Sequence, residues 1–353
     1  MPSENYVDIK SMYESELKEV LAELGEKPFR AGQLFSWMHE KRVKSYDEML
    51  NLPKSLREKL QKAYPYTGIK AVKILESKNK DTRKYLFALQ DGNVIESVWM
   101  KYRHGNSVCI SSQVGCRMGC QFCASTLDGL VRPLQASEML EQIYEIQRLT
   151  GERVSNIDIM GSGEPMDNFD NVVRFIRLVS NDRGINISQR NITVSTCGLV
   201  PQIRKFAEEK LSVTLAISLH NPINEERREL MPVGKSYSVE ELMDACRDYF
   251  KQTGRRITFE YALIEGNNDS DRHAEALAKL VKGLNCHINL IPVNPVKERN
   301  FRRSDKNVIR NFQNKLEKYR INVTIRREMG SDIDGACGQL RKRYISSQEE
   351  KPF

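Results

Sequence analysis

The hydrophobic and polar positions divide the chain into a helical beginning, a short region of alternating character and a long region of mixed periodicity. In residues 1–66, apolar residues recur at helical spacing in three short stretches, of which 29–41 is the clearest. Residues 67–105 change to period two, and the runs Lys84–Gln90 and Val94–Met100 flank Asp91-Gly92-Asn93, a typical hairpin turn. The pattern predicts a small helical accessory domain that a β-hairpin linker joins to the rest of the chain.

From residue 106 onward, short β-rich runs alternate with helical stretches, which predicts a parallel sheet with right-handed crossovers, either open or closed into a barrel. The predicted strands are Ser107–Ser112, Asn156–Met160, Asn191–Thr196, Ser212–Leu219, Arg256–Ile264, His287–Pro292 and Asn322–Arg326. The predicted helices include Ala136–Leu149, Phe169–Ser180, Val239–Gln252 and Ser270–Gly283. Loops with unusual residues follow the strands, and in such barrels that end carries the active site. We therefore expect an α/β core over residues 106–345 and a short tail over 346–353.

The composition is that of an ordinary globular protein. Of the 353 residues, 40% are hydrophobic and 29% are charged, and no apolar run approaches the roughly 18 residues that a membrane span needs. The first ten residues are polar and carry both charge signs, unlike a signal peptide. Eight cysteines without an export signal indicate a reducing compartment, where clustered cysteines more often bind metal than form structural disulfides. We expect a cytoplasmic protein.

The positive charge is concentrated near the end of the chain. Residues 297–353 hold fifteen Lys and Arg against eight Asp and Glu, which is +7 of the net charge of +8. The prominent basic residues are Arg302, Arg303, Arg326, Arg327, Arg341, Lys342 and Arg343. This distribution indicates a polyanionic partner such as nucleic acid, with a solvated basic face as the alternative.

Three cysteines form a C-x3-C-x2-C pattern at Cys116, Cys120 and Cys123. Disulfides would leave an odd thiol, and a structural zinc site needs four ligands, usually from two separated pairs. An iron–sulfur cluster normally takes four thiolates, so three on one tight loop leave one iron with an open position for a substrate or cofactor. The spacing favours a cluster of this kind.

This spacing, with Phe122 before the third cysteine and the loop after the first barrel strand, resembles the radical S-adenosylmethionine (SAM) superfamily. The resemblance implies a [4Fe–4S] cluster whose open iron chelates SAM and cleaves it to a 5′-deoxyadenosyl radical. It also implies that Phe122 packs near the SAM adenine. Taken alone, Phe122 could equally be a core aromatic residue.

The other cysteines differ in their surroundings. Cys246 lies on a helical pattern and Cys286 at a strand edge, and both are most simply small buried hydrophobic residues. Cys337 lies in a loop with glycine on both sides, which suits a thiol that is approached closely or must move. Cys109 lies on the strand that leads to the cluster loop.

Longer segments give a closer resemblance that covers essentially the whole chain. The segments are Glu96-Ser-Val-Trp-Met, Cys109-Ile-Ser-Ser-Gln-Val-Gly-Cys116, Gly161-Ser-Gly-Glu-Pro165, Ile217-Ser-Leu-His220, Asn289-Leu-Ile-Pro-Val-Asn294 and Asp332-Ile-Asp-Gly-Ala-Cys-Gly-Gln-Leu340, with Gly25-Glu-Lys-Pro-Phe-Arg-Ala and Asn51-Leu-Pro-Lys near the start. They resemble the RlmN family of radical SAM methyltransferases, which methylate carbon 2 of adenine in 23S rRNA and tRNA. The expected fold is a partial (β/α) radical SAM barrel with an N-terminal helical, RNA-binding accessory domain.

The resemblance implies a mechanism with two SAM molecules per turnover. Cys337 would accept a methyl group from the first SAM, and the radical from the second would activate that methyl group to add to adenine. Cys109 would then attack the Cys337 sulfur, which releases the RNA and leaves a transient disulfide. Glu96 matches the proposed base. The residues that match SAM contacts are Gly163, Glu164, Ser195, Ser218, Leu219, His220 and Asn294.

The implied partners are 23S rRNA, tRNA and a flavodoxin- or ferredoxin-type electron donor, and we expect a monomer. Carbon 2 of adenine is electron-poor, so a radical route avoids its unfavourable direct attack on a SAM methyl group. His220 could instead simply satisfy a hydrogen bond at a strand end. Two positions depart from the family pattern: Ser162 replaces a bulkier apolar residue, and Cys197 replaces serine. They affect the fine geometry of SAM binding rather than the reaction.

Two alternative functions stay open. A sister group methylates the same rRNA adenosine at carbon 8 with the same cysteines, although the Gly-Glu-Pro turn and the segment Cys-Gln-Phe-Cys-Ala-Ser-Thr favour carbon 2. A non-catalytic RNA-binding protein with a structural cluster belongs to a different class. The open three-cysteine site and the pair Cys109 and Cys337 argue against it.

Overall fold

The computed structural model describes residues 8–294, 299–327, 329–333, 340–341 and 344. It begins with three short helices, α1 (Glu14–Glu23), α2 (Arg30–His39) and α3 (Lys54–Ala63). Each helix buries one apolar stripe, and the buried side chains include Leu17, Leu21, Leu34, Phe35, Met38, Leu56 and Leu60. The helical prediction for this region is confirmed.

An antiparallel group of four strands follows: β1 (Lys70–Glu76), β2 (Thr82–Ala88), β3 (Val94–Tyr102) and β4 (Gly105–Cys109). The predicted hairpin is the β2–β3 pair, in which Ala88 lies opposite Val94. The hairpin continues directly into the larger sheet, since β3 pairs with β4 and β4 pairs in parallel with the next barrel strand.

The remaining strands and helices form the α/β core. Beside β4 lies a two-stranded ribbon of β5 (Gln113–Gly115) and β6 (Leu130–Pro133). The parallel strands are β7 (Val154–Ile159), β8 (Ile192–Thr196), β9 (Thr214–Ser218), β10 (Ile257–Leu263), β11 (Cys286–Pro292) and β12 (Val323–Ile325). The helices are α4 (Ala136–Thr150), α5 (Phe169–Val179), α6 (Val200–Glu208), α7 (Asn224–Leu230), α8 (Val239–Thr253), α9 (Asp271–Leu280) and α10 (Lys306–Lys318).

Within the described residues, one ten-stranded sheet runs in the order β1-β2-β3-β4-β7-β8-β9-β10-β11-β12. The strands from β4 onward are parallel and lie in sequence order, as right-handed β–α–β units require. The predicted α/β class and partial barrel are thus confirmed. In place of the predicted strand 107–112, β4 ends at Cys109, because the amides of Ser112 and Gln113 both donate to the carbonyl of Ser162 and draw the chain toward the following loop.

One hydrophobic core contains side chains from the N-terminal helices and from the barrel. Beside it, Lys10 forms a buried ion pair with Glu141 of α4, with Nζ and Oε1 2.7 Å apart, and also donates to the carbonyl of Thr67. The helices are thereby fixed to the outer layer of the barrel. In the described part of the chain, no helix combines the length and the apolar character that a membrane crossing requires.

Candidate active site

A cavity of about 190 Å³ opens at the carboxyl ends of the parallel strands, where the loops after β5, β7, β8 and β9 meet. This is the end of the barrel at which the sequence places the active site. Nine of the predicted site residues line it: Cys116, Cys120, Phe122, Cys123, Gly163, Glu164, Ser195, Ser218 and His220. Residues from four separate loops therefore share one site.

The cysteine loop is folded by local hydrogen bonds and by glycine. Gly115 has φ +75°, and a β-carbon there would collide with the carbonyl oxygen of Gly129, which accepts the amide of Cys116 at 2.8 Å. The Thr126 hydroxyl donates to the carbonyls of Cys120 and Cys123 at 3.1 and 2.9 Å. These contacts hold the three cysteines on one wall of the cavity.

The donor set fits an iron–sulfur cluster better than a single ion. Burial raises the pKa of the Cys116 thiol to about 12 and raises that of Cys120, so a metal must displace the thiol protons when it binds. Among the described residues, no group of three or more His, Cys, Asp or Glu side chains converges closely enough for one metal ion. Cysteines of a [4Fe–4S] cluster each bind a different iron, so their sulfurs stay apart.

The turn after β7 packs directly on the chain that leads to the cysteines. Gly163 has φ +107°, and a β-carbon there would lie 2.6 Å from the Gln113 Cβ. The Glu164 carboxylate accepts the amide of Met166 at 3.0 Å and that of Cys197 at 2.8 Å, while burial raises the pKa of Glu164. Glu164 thus ties the turn after β7 to the loop after β8.

His220 and two serines also line the cavity. The His220 Nδ1 accepts the amide of Ala262 at 2.9 Å, and burial lowers the pKa of the imidazole to about 3. The ring is therefore neutral, with its proton on Nε2, and packs edge-on against Phe122 at 4.7 Å between centroids. The hydroxyls of Ser195 and Ser218 lie 3.4 Å apart.

Two of the residues expected to contact SAM lie off the cavity wall. The Leu219 side chain is buried in the main core, and its amide donates to the Glu260 carbonyl. Asn294 is exposed two residues after β11 ends. The family motif identified Leu219 and Asn294 as positions near the site, but it did not show which atoms of these residues face the cavity.

Cys109 and Glu96 share the neighbouring face of the sheet. Cys109 lies opposite Val98 in the β3–β4 pair, and these two residues belong to a small hydrophobic cluster. Met160, which lines the cavity, packs against that cluster. The Glu96 carboxylate is buried, with Oε2 3.0 Å from Lys84 Nζ. The cluster that contains Cys109 therefore adjoins the cavity through Met160.

Cys337 lies outside the described residues, but the chain on each side of it is described. Met329 packs in the cluster that contains Cys109, and Leu340 packs on Leu86 and Val94 of the β2–β3 pair. The amide of Arg341 donates to the Glu96 carboxylate. The segments that flank Cys337 thus lie along the face that carries Cys109 and Glu96.

Arg341 corrects one expectation from the charge distribution. Its side chain is buried, Nε donates to the carbonyl of Val94 at 3.0 Å, and one terminal nitrogen lies 3.5 Å from Asp128. Arg341 therefore anchors the C-terminal segment instead of offering its charge to a phosphate group.

In the sequence, Cys197 stood out only as a departure from the family pattern, and the burial of Arg227 and the pairing of Glu260 with Asn289 were not predicted. Cys197 lines the cavity, where its thiol hydrogen-bonds to Glu164. The Arg227 guanidinium is buried beside the loops that form the site, although its helix, with the sequence Asn-Glu-Glu-Arg-Arg-Glu-Leu, resembles a solvated helix. Glu260 and Asn289 are hydrogen-bonded on adjacent strands at 3.1 Å, and burial raises the pKa of Glu260 to about 7. The sequence signal for Glu260 and Asn289 was that each is a polar residue within an otherwise largely apolar strand.

Comparisons with known proteins agree with this geometry. Residues 7–64 match the family model of the ribosomal RNA large subunit methyltransferase N-terminal domain, and residues 110–278 match that of the radical SAM superfamily. A probable dual-specificity RNA methyltransferase RlmN from Lachnospira eligens is 61% identical over 97% of this chain and 98% of its own. One from Clostridioides difficile is 53% identical over 95% and 98%. The crystal structure of a radical SAM methyltransferase from Sphaerobacter thermophilus is similar with a TM-score of 0.91, 42% identity, and coverage of 95% of this chain and 99% of that chain.

Proposed function

Because the chain belongs to the RlmN family of radical SAM RNA methyltransferases, we propose that it methylates carbon 2 of an adenosine in 23S rRNA and of one in tRNA. The observation that carries the proposal is the shared cavity. Three cysteines with the radical SAM spacing line it together with the turn at Gly163, and its wall residue Met160 packs against the hydrophobic cluster that contains Cys109.

Cys116, Cys120 and Cys123 would hold the [4Fe–4S] cluster that the superfamily implies. When bound, the cluster and SAM supply an organic radical able to remove hydrogen from a methyl group. Phe122 and the neutral His220 offer an apolar wall and one ring N–H for the SAM adenosine. Further SAM contacts are proposed for Gly163, Glu164, Ser195 and Ser218, which line the cavity. Leu219 and Asn294 are proposed as SAM contacts from the family match alone.

The two thiols outside the cluster loop are proposed to act in sequence, with two SAM molecules per turnover. The Cys337 thiolate takes a methyl group from the first SAM. After the radical has removed one hydrogen atom from it, that carbon bonds to adenine carbon 2. The adduct then gives up the carbon-2 proton and one electron, which returns the electron used to cleave the second SAM. Cys109 then attacks the Cys337 sulfur: the sulfur–carbon bond breaks, a disulfide forms, and the released carbon takes a proton. An external reductant returns the two electrons that regenerate the thiols. Glu96 is proposed as the base that accepts the proton from carbon 2.

Chain connectivity supports the pairing of the two thiols. Leu340 is three residues after Cys337 and packs on the β2–β3 pair. The described residue that follows Cys337 most closely therefore lies on the strands that neighbour Cys109. Met329, on the other side, packs in the same cluster as Cys109.

The surroundings of the enzyme follow from the same reasoning. The helices in residues 1–66 are proposed as an RNA-binding accessory domain, residues 67–105 as its linker and 106–345 as the catalytic core, with 346–353 as a tail. A flavodoxin- or ferredoxin-type protein would supply electrons. Free thiols and an oxygen-sensitive cluster suit a reducing cytoplasm, and we propose that the enzyme works there as a monomer.

Two cysteine variants test the order of action. We expect Cys109→Ala to load the methyl group and attack adenine, then to stall as a protein–RNA adduct that survives denaturation. Cys337→Ala should form no adduct and no methylated RNA, although its cluster still assembles. Denaturing gels with labelled RNA measure this, and Cys286→Ala, which replaces a buried cysteine away from the cavity, is the control. Normal turnover by Cys109→Ala would overturn the assignment.

The product and the metal content test the remaining parts. Mass spectrometry of the modified nucleoside should give 2-methyladenosine, whereas 8-methyladenosine would assign the chain to the sister group. Anaerobically reconstituted protein should hold about four irons and lose them in Cys116→Ala. Stoichiometric zinc without iron would contradict the cluster.

A further inference from the structure

Arg227 of α7 carries a buried positive charge with no anionic partner among the described residues. Its side chain is 1% exposed. Nε donates to the carbonyl of Leu219 at 3.1 Å and one terminal nitrogen donates to that of Cys197 at 2.7 Å, while the other terminal nitrogen, Nη1, has no hydrogen-bond partner. Burying a cation is costly when its only partners are neutral carbonyl oxygens and one of its own N–H groups has no hydrogen-bond partner.

One acidic residue next to Arg227 in sequence and one that shares Cys197 with it already have partners. Glu226, the preceding residue, is paired with Asn221, His273 and Arg272. The Glu164 carboxylate accepts the amides of Met166 and Cys197. These carboxylates therefore do not balance the buried charge of Arg227, and a further negative group is needed close to its guanidinium.

The surroundings of Arg227 point to the cysteine loop as the place of that group. The carbonyls of Leu219 and Cys197 belong to the loops that follow β9 and β8, and both loops line the cavity. The last residue of α7, Leu230, accepts the amide of Gln121 from the cysteine loop at 2.9 Å.

We propose that Arg227 is the counter-charge of the iron–sulfur cluster and makes the cluster easier to reduce. The inference rests on the cluster of the proposed function. A [4Fe–4S] core with three thiolates carries one net negative charge when oxidised and two after it accepts one electron. A nearby buried cation stabilises the second state more than the first, which raises the reduction potential. Arg227 does not line the cavity and touches no reacting atom. It is therefore a positioning residue, whose charge acts on the reaction only through the cluster.

An anaerobic redox titration with dithionite, followed by electron paramagnetic resonance, tests this in the reconstituted full-length protein. For Arg227→Gln, which keeps an N–H donor and loses the charge, we expect the equilibrium constant for one-electron reduction to fall at least tenfold, a shift of about 59 mV to more negative potential. Arg227→Lys keeps the charge and should stay closer to the wild type. Arg228→Gln removes the same charge from the exposed neighbouring residue and should leave the potential unchanged.

The possible results distinguish an electrostatic role of Arg227 from a role in holding the loops together. A wild-type potential in an iron-loaded Arg227→Gln would overturn it. If Arg227→Gln loads no iron, Arg227→Lys decides: loading with a potential near the wild type supports the counter-charge, and failure of both assigns Arg227 to holding the loops only. If the wild type itself loads no iron, the proposed function fails instead.

Discussion

At Gly163 the absence of a side chain sets the shape of the turn that faces the cavity. Its φ is +107°, and an added β-carbon would lie 2.6 Å from the Gln113 Cβ and 2.7 Å from the Gln113 backbone nitrogen. Part of that obstruction is backbone, which cannot rotate away. The turn at Gly163 therefore cannot shift toward Gln113 unless the segment before the cysteines shifts with it.

We expect Gly163→Ala to weaken SAM binding at least tenfold, because the turn must separate from Gln113. The matched control is Gly254→Ala, at φ +65° with no atom within 4 Å of the added β-carbon, which should cost about 1 kcal/mol of stability and leave SAM affinity unchanged. Isothermal titration with SAM and thermal unfolding of both variants measure the two effects. Equal SAM affinity in Gly163→Ala would show that this close packing does not hold the binding turn.

Glu260 is an ionisable group inside the barrel. Burial raises its pKa to about 7, Arg326 and the hydrogen bond from Asn289 lower it, and Asp158 raises it. The folded state therefore holds the Glu260 proton more tightly than the unfolded chain. The stability that Glu260 contributes is fully present below its ordinary pKa of 4.5 and is lost as the pH rises through 7.

Glu260→Gln should remove this pH dependence and keep a polar partner for Asn289. Between pH 5 and pH 8 we expect the free energy of unfolding of the variant to gain about 2–3 kcal/mol relative to the wild type. Urea unfolding at both pH values measures the difference, and the other titrating groups are common to the two proteins. Parallel pH profiles would contradict a raised pKa of Glu260 in the folded state.

At this scale, the sequence predicted what is local and missed what depends on tertiary contact. Cys116, Cys120 and Cys123 are recognisable because a cluster loop needs its ligands a few residues apart. The role of Arg227 depends on carbonyls of two other loops, and its own helix offers only a run of charges. Cys197 could be noted as unusual, but its hydrogen bond with Glu164 exists only once the loops after β7 and β8 meet.

Among the elements, α4 connects the N-terminal helices to the barrel. Its Glu141 is 4% exposed and pairs with Lys10, which is 1% exposed, while Arg148 binds the second carboxylate oxygen at 2.6 Å. Breaking a buried pair by removal of one partner is costly, because the remaining charge stays desolvated. The attachment of the helices should therefore depend more on Lys10 than on exposed ion pairs at the same boundary.

Lys10→Met should lower the free energy of unfolding by about 3 kcal/mol, since Glu141 and the Thr67 carbonyl both lose a donor. Lys44→Met is the matched control: Lys44 is 61% exposed in its pair with Glu145, and its loss should cost less than about 1 kcal/mol. Urea unfolding of the full chain measures both. Equal costs would show that the buried pair does not govern this boundary.

The order of strands and helices could be predicted from the sequence, but the pairing of β3 with β4 at the edge of the barrel could not. Apolar and alternating runs marked the strands to within one or two residues at most boundaries, because these runs stop where polar loop residues begin. The turn between β3 and β4 is Arg103-His104, which has none of the usual hairpin residues, so the boundary between linker and core was placed beside it. In the structure, these strands pair and the linker becomes part of the sheet.

Over the whole molecule, the basic excess divides into structural and accessible charges. Arg341 is buried against Val94 and Asp128, whereas Arg302 and Lys306 are exposed. Arg302 lies at the cavity end of the barrel, since its carbonyl accepts the amide of Glu265 just after β10. Lys306 begins α10 after β11, at the same end. Exposed positive charge therefore lies at the cavity end of the barrel, where we expect RNA to bind.

Reversal of both charges, Arg302→Glu with Lys306→Glu, should weaken RNA binding at least tenfold in low salt. Each lost phosphate contact should reduce the slope of log affinity against log salt by about 0.7–0.9. Deoxyadenosine formation from SAM without RNA should stay unchanged, because neither residue lines the cavity. Filter binding at several salt concentrations and chromatography of the SAM products measure the two.

The control separates a docking surface from a general loss of positive charge. Lys251 and Lys282 are exposed near the ends of α8 and α9, and these helices lead into β10 and β11 at the opposite end of the barrel. Lys251→Glu with Lys282→Glu changes the net charge by the same amount, so it should retain most of the affinity and the wild-type salt slope. Similar losses in both pairs would mean that the net charge of the molecule attracts RNA without a defined surface. An unchanged affinity in the Arg302 and Lys306 pair would place the RNA on another face, and charge reversal along α3 would be the next experiment.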